Sequence, residues 1–332
     1  MRSYLCLSVA LLCAVLPAAG TAAAADGPSF TIEDRRITES SGLAASRAHP
    51  GIYWTHNDSD DGPYVYAVDG RSGRTVATVT LRGVDPRDVE AISVGPGGQV
   101  YVGDIGDNLG GTWPEVWIYR FREPAELKDT TVTPVRHTVR YDGGPRDAES
   151  LMVHPRTGRV YIVSKHQDGG GLYEGPAELV PNGGNTFLRK ADVGLWATDA
   201  AFSPDGSRLV VRGYFEARMY RWRDGRITKL GEPALPMQRQ GESVTFTSDG
   251  RALMYGTEGA GSVVTRVSLS GKLRPESVAR EDKAREERAR HAEDRDRGGS
   301  QEGGDALAGA ATLAGLAVLA MAVRRMFRRG RG

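Results

Sequence analysis

Only two cysteines occur in the 332-residue chain, Cys6 and Cys13, and both lie within its first 25 residues. From Asp26 onward there is no thiol, which excludes disulfides and cysteine-ligated metal as sources of stability. Histidine is scarce as well. The six at positions 49, 56, 137, 154, 166 and 291 contain no close ligand pair, which argues against zinc. A Gly-x-Ser-x-Gly nucleophile elbow is absent, and so is a phosphate-binding P-loop. Positive charge is also lacking where a nucleic-acid partner would need it. The chain carries 43 Lys and Arg against 42 Asp and Glu, but six of the arginines stand in the two terminal segments. Residues 26–323 therefore hold 37 basic and 42 acidic groups, a net of −5 with no basic stripe, and no nucleic-acid partner is expected.

Long apolar runs are confined to the two ends. Residues 1–25 read as a secretory signal: Arg2, an apolar stretch from Leu5 to Leu16, and Ala23-Ala24-Ala25 before Asp26. No lipobox precedes either cysteine. Residues 306–323 are 18 uncharged residues followed by Arg324, Arg325, Arg328, Arg329 and Arg331. Export, a stop-transfer helix and a basic tail at 324–332 predict a single-pass protein of the cell membrane, N-terminus outside and C-terminus cytoplasmic. The same ending fits a cell-wall sorting signal, but the required Leu-Pro-x-Thr-Gly type of motif is missing. Residues 271–305 are rich in mixed charge and poor in large apolar groups, which predicts a solvated, flexible stalk with partial helix in its first half.

What fills residues 26–270 is a repeat. Asp147-Ala148-Glu149-Ser150-Leu151-Met152-Val153 runs through Pro155 and Gly158 into Val160-Tyr161-Ile162-Val163. Similar stretches start around Glu90, Thr198 and Glu242, and a weaker one at Ser41. These five positions are 49, 59, 49 and 44 residues apart. A period in the forties, with β-branched and aromatic runs between Gly, Pro and Asp turns, is the pattern of propeller blades. The fifth unit stops after three strands, while an unassigned strand, Ser29-Phe30-Thr31-Ile32-Glu33, precedes the first. The expected fold is all-β: a five-bladed β-propeller closed by the N-terminal strand, with a C-terminal transmembrane helix. Six blades are the alternative if the 59-residue unit hides another sheet.

In a propeller the innermost strand starts on the face where the second strand ends, so two columns of residues meet at one mouth of the central channel. The first column holds Ser41, Glu90, Glu149, Thr198 and Glu242, with Glu39, Asp88, Asp147, Trp196 and Gln240 two residues earlier. The second holds His56, Asp104, Ser164, Gly213 and Thr257, flanked by Asn57, Asp58, Asp107, Asn108, Lys165, His166, Arg212, Tyr214 and Glu258. Glutamates converging at one register repel one another unless a cation sits among them. The expected metal ligands are Glu90, Asp104, Glu149 and Glu242. His56, Asn57, Asp88, Asp147, Lys165, Arg212, Tyr214 and Glu258 are the expected ligand-binding residues. If the site is catalytic, Glu90 or Glu149 would act as base and Lys165 and Arg212 would stabilise an anion. The oxygen-rich loops at His56–Gly62 and Asp104–Asn108 suit a hard cation such as Ca²⁺, although neither is an EF-hand. Asp85, Asp205 and Asp249 read as turn caps instead.

Ser41-Gly42-Leu43-Ala44-Ala45-Ser46, Trp54-Thr55-His56-Asn57-Asp58-Ser59, Asp88-Val89-Glu90-Ala91-Ile92 and Gly103-Asp104-Ile105-Gly106-Asp107-Asn108 together resemble secreted bacterial propellers of the phytase-like or esterase-like type. Asp147-Ala148-Glu149-Ser150-Leu151 fits the same resemblance, which covers most of residues 38–270. The high Ala, Gly and Arg content with a cleavable signal looks actinobacterial. The resemblance implies a Ca²⁺-bearing acidic face that binds phosphate esters. Phytases, however, have six blades and basic residues that grip phosphate, and here only Lys165, Arg212 and Arg87 or Arg146 could do so. The expectation is a membrane-anchored extracellular propeller whose acidic mouth binds a cation, a ligand or a protein partner. The alternatives are a metal-dependent phosphoester or carboxylic ester hydrolase, and a purely structural propeller whose acidic ring is turn chemistry.

Overall fold

The computed structural model describes residues 27–58 and 61–294. The expected signal at 1–25, the span at 306–323 and the tail at 324–332 lie outside the described residues. Among the described residues no helix is long and apolar enough to cross a membrane.

The described chain is nearly all β. Strand β1 (Phe30–Thr31) precedes β2 (Ser40–Ala45), β3 (Ile52–Asn57), β4 (Tyr64–Asp69) and β5 (Thr75–Leu81). Next come β6 (Val89–Gly95), β7 (Gln99–Asp104), β8 (Val116–Arg122), β9 (Thr130–Val132) and β10 (Val135–Tyr141). They are followed by β11 (Ala148–Val153), β12 (Val160–Ser164), β13 (Gly171–Glu174) and β14 (Gly184–Asp192). The last are β15 (Ala197–Phe202), β16 (Arg208–Gly213), β17 (Ala217–Arg223), β18 (Arg226–Gly231), β19 (Gly241–Phe246), β20 (Ala252–Thr257) and β21 (Val263–Ser268). Turn chemistry sets these boundaries. Between β11 and β12 the His154 amide donates to the Arg159 carbonyl at 2.9 Å, and Gly158 takes φ 71°, a conformation that a Cβ disfavours.

Strands pair with their sequence neighbours in antiparallel meanders, and four hydrogen-bonded sheets result. One has the order β2-β3-β4-β5-β9 and another β15-β16-β17-β18. The meanders β6-β7-β8-β10 and β11-β12-β13-β14 are joined into one sheet by the parallel pair β10 and β14. The long spacing from Glu90 to Glu149 is accounted for by β9, which adds in parallel to the outer strand β5 of the first sheet. The last meander, β19-β20-β21, takes β1 as its outer strand, with Phe30 opposite Val264.

The strands β2, β6, β11, β15 and β19 pack side by side in a closed cycle, with β19 returning to β2. A separate apolar core fills each junction. Trp54 and Val79 meet Ile92 and Val102, and Ile118 and Val139 meet Leu151 and Ile162. Val163 and Leu172 meet Val211 and Trp222. Val210 and Met219 meet Phe246 and Tyr255, and Met254 and Val264 meet Tyr53 and Tyr66. Phe30 and Ile32 belong to that last junction and are 6% and 1% exposed. Deleting Asp26–Arg36 removes both side chains, each of which contributes about 1.5–3 kcal/mol. It also bares the edge of β21. The truncated protein is expected to melt earlier and to form oligomers on size exclusion. A monomer with unchanged melting would contradict this closure.

The expected stalk departs from a wholly solvated segment. Residues 276–294 form a helix, α1, whose first turn is docked on the sheets. The Ser277 amide donates to Asp205 Oδ2 at 2.8 Å and the Glu276 amide to Ser207 Oγ at 2.9 Å. Val278 is 1% exposed, and Asp282 is held by Arg251 and Arg274, each at 2.7 Å. Charge-rich composition signalled a solvated surface but missed one buried valine and a few ion pairs at the start.

Candidate functional site

The geometry of the mouth begins with a backbone irregularity repeated at one register. In each innermost strand the pairing with its neighbour slips at the start. The slips fall between Ser40 and Leu43, Val89 and Ala91, Ala148 and Ser150, Ala197 and Asp199, and Gly241 and Ser243. The residues skipped by the ladder include Ser41, Glu90, Glu149, Thr198 and Glu242, the column aligned in the sequence. A bulge leaves its extra residue unpaired and re-aims that side chain. All five residues are buried. Their neighbours tie them together: Ser41 Oγ donates to Glu90 Oε2 at 3.1 Å, and Thr198 Oγ1 to the Gly241 carbonyl at 3.0 Å.

Around Glu90 the structure gathers three carboxylates. Asp58, Asp88 and Glu90 each place one oxygen within 4.8 Å of the other two, a spacing that a single metal ion could bridge. Glu90 and Asp88 are 3% and 7% exposed. Asn108 Nδ2 donates to Asp88 Oδ2 at 3.2 Å, and the Gly106 amide donates to the Asp88 carbonyl at 3.2 Å. Gly106 must lack a side chain here, because a Cβ would collide with the Asp88 carboxylate and lie 2.9 Å from Glu90 Cγ. Burial, then the charge of Asp88, pushes the Asp58 carboxyl up to about 8. Glu90 is raised by burial and then by Glu149, Asp58 and Asp88. A cation bound among them would lower both again.

Beside the triad stands one cation, Lys165. Its Nζ is ion-paired with Glu149 and lies 5.8 Å from the centroid of the Tyr214 ring, which in turn meets Trp196 edge-on at 5.1 Å. Its charge reaches Asp88, Glu90, Asp147, Glu149, Glu242 and Glu258. Burial raises Glu149 more strongly than Lys165 lowers it, and Glu242 is pushed up to about 7, also by burial. The mouth is thus an acidic, partly desolvated ring with a single ammonium among its described residues.

Several residues expected at this site have other duties. Asp104 is fully buried as an acceptor for the Asp88 amide at 3.0 Å, and the Arg87 guanidinium is 3.8 Å away, so it braces the loop rather than joining the triad. Asn57 Oδ1 takes the Thr38 and Glu39 amides, both at 3.0 Å, while its Nδ2 donates to the Arg36 carbonyl at 2.8 Å. His56 is buried against Gly42, with Nδ1 3.0 Å from the Asn57 carbonyl, and burial lowers its pKa to about 4. Arg212 points into the wall, donating to the Ser243 and Gly256 carbonyls at 2.9 and 3.0 Å. Arg87 is stacked on Trp117 and Trp113 at 3.6 and 4.1 Å, and Arg146 is bonded to Tyr173 and the Gly144 carbonyl. Of the basic residues considered for gripping phosphate, Lys165 alone is ion-paired with a carboxylate of the inner-strand column among the described residues. Asp147 accepts the Asp107 amide at 3.2 Å. Asp205 and Asp249 do cap turns, and hydrogen bonds from Ser203, Ser207 and Ser277 outweigh burial to hold Asp205 at about 2.

Asp58 is the residue that sequence reasoning placed beside the site but not in it. The signal was present in the His56–Gly62 loop, where Asp58 directly follows the last residue of β3.

No protein-family model matches this chain, and no curated protein does. Solved structures resemble it loosely. A gluconolactonase from Xanthomonas campestris is 19% identical over 75% of this chain and 82% of its own, with a TM-score of 0.46. The soluble aldose sugar dehydrogenase of Escherichia coli is 11% identical over 73% and 99%, with a TM-score of 0.45. A chain of a mitotic checkpoint complex is 13% identical with a TM-score of 0.37, and this chain spans 61% of its length. At TM-scores below 0.5 the likeness is loose and says nothing of what this chain does. It adds nothing to the phytase-like or actinobacterial expectation.

Proposed function

We propose that this chain is an exported, membrane-tethered five-bladed propeller whose acidic mouth binds a divalent cation on Asp58, Asp88 and Glu90. Ca²⁺ suits an all-oxygen donor set of this kind. The observation that carries the reading is the convergence of three carboxylate oxygens within 4.8 Å, two of the residues being buried. Buried carboxylates this close repel one another, and a cation turns that cost into binding energy. Lys165 then supplies a positive group next to the cation, and Tyr214 and Trp196 an apolar wall. The ligand suited to this combination is an anionic small molecule or an acidic group of a partner. Helix α1 starts between the β15–β16 and β19–β20 turns, at the far end of the inner strands from the bulges. A tether continuing from there would present the mouth away from the bilayer.

A second reading, hydrolysis of a phosphate or carboxylic ester, is favoured by Lys165 lying next to the triad. A bound cation would polarise the ester and acidify a coordinated water. Glu149 is occupied by Lys165, and Arg212 is inside the wall, so neither fills the role expected of it.

Melting the full chain in calcium and in chelator tests the first reading. At a hundredfold excess over Kd the ion adds about 2.7 kcal/mol, a shift of several degrees. Identical curves would remove both readings. Calcium-dependent turnover on generic phosphate or carboxylate esters would select the second, and binding without turnover the first.

A further inference from the structure

The other end of the central channel has no carboxylate among its lining residues. A cavity of about 290 Å³ lies where the second halves of all five innermost strands converge. Leu43, Ile92, Val153, Phe202 and Phe246 give it an apolar lining, and the small side chains of Ala200 and Ala201 leave it room. Phe246 is four residues beyond Glu242 on β19, which separates the cavity from the acidic mouth by about 13 Å of strand. The volume is close to the lower bound of about 300 Å³ for small-molecule pockets.

Most polar groups on its wall are already bonded within the protein. Ser46 Oγ donates to Glu123 at 2.5 Å, Ser93 Oγ accepts the Val153 amide at 3.1 Å, and Thr247 Oγ1 donates to Asp249 at 2.7 Å. Arg47 is different. It lines the cavity and spends its Nε on the Val94 carbonyl at 3.1 Å; the charge of Glu123 reaches it, but no ion pair within 4.0 Å forms among the described residues. A guanidinium fixed at one nitrogen presents its remaining N–H donors as a fork suited to a carboxylate.

We propose that this cavity is a binding site for a small carboxylate with an apolar body, held by ion pairing to Arg47. The site is independent of the cation at the mouth. The charge of Arg47 selects an anion, the apolar lining selects a hydrocarbon or aromatic body, and the volume limits it to roughly the size of an aryl acetate or a short fatty acid.

The test uses the full chain and 4-fluorophenylacetate, followed by fluorine NMR. Saturable binding is expected, and the neutral analogue 4-fluorophenylacetamide should bind at least tenfold more weakly. Arg47→Gln should reduce affinity for the acid at least tenfold while the protein still folds, since it loses only the bond to the Val94 carbonyl. Ala201→Leu, which narrows the cavity, should weaken both probes. The proposal is overturned by the absence of saturable binding, by equal affinity for acid and amide, or by affinity that neither variant changes. Because Arg47→Gln removes no core contact, its result stands even if Ala201→Leu does not fold.

Discussion

Arg212→Met should destabilise the protein by about 3–5 kcal/mol, the largest effect expected of any single change in the mouth region. The Arg212 side chain is fully buried and binds two main-chain carbonyls on adjacent strands, at Ser243 and Gly256. Methionine fills much of the volume but donates nothing, so both carbonyls would lose a charge-assisted hydrogen bond in a dry interior. Asp199 and Glu242, whose charges act on Arg212, would also lose a compensating cation. Gly241 exists to admit the guanidinium, since a Cβ there would collide with Nη2. In a domain of this size the change should lower the melting temperature by roughly 10 °C. Calcium affinity should remain, because Arg212 touches none of the three triad carboxylates. A stable Arg212→Met protein that had lost its ligand would return Arg212 to the binding residues.

The second large effect is on pH dependence. Asp58 is raised to about 8 and Glu242 to about 7, and Asp88, Glu90, Asp147 and Glu149 are raised as well, each chiefly by burial. An unfolded chain has already ionised these groups at neutral pH, so the folded state binds more protons. Stability then falls as pH rises, and the contribution of these carboxyls is lost through their folded pKa values. Histidines act in the other direction at lower pH. His56 is lowered to about 4 and His137 and His154 are lowered too, so they destabilise as pH falls below their ordinary 6.5. From about pH 7.5 to 8 these three histidines are largely neutral in both states, and the carboxylates dominate. Calcium-free protein should therefore lose melting temperature across that window, and saturating calcium should flatten the loss. A flat profile without calcium would mean that these carboxylates ionise freely when folded.

The strands were legible because each unit repeats a period-two apolar pattern between Gly, Pro and Asp turns, and Phe30 could be assigned to the last meander because that meander was one strand short. The column of Ser41, Glu90, Glu149, Thr198 and Glu242 was legible for the same reason. The register slips that aim these side chains were not. The five register slips depend on which amides the neighbouring strand can reach, and no residue type marks them. Strand β9 pairs in parallel with β5, from about fifty residues away, so nothing local predicts its partner. Arg212 and Lys165 both follow a second strand's apolar run, yet one turns into the wall and the other to the carboxylates. The difference is the space left by Gly241, which becomes visible only once β16 and β19 are side by side. Asp104 and Asp58 likewise trade places. Asp104 sits where the Asp88 amide needs an acceptor, and Asp58 sits one residue past β3, free to join Asp88 and Glu90.

Calorimetric titration of calcium into the full chain tests the cation site most directly. One site per chain is predicted. Asp88→Asn and Glu90→Gln should each weaken it by roughly tenfold or more, at least ~1.4 kcal/mol. Gly106→Ala should do the same without removing a ligand, by pushing the Asp88 carboxylate aside, whereas Asp104→Asn should leave the affinity within a fewfold of the parent. The absence of saturable binding would contradict the account, as would a site that Asp88→Asn and Glu90→Gln leave untouched.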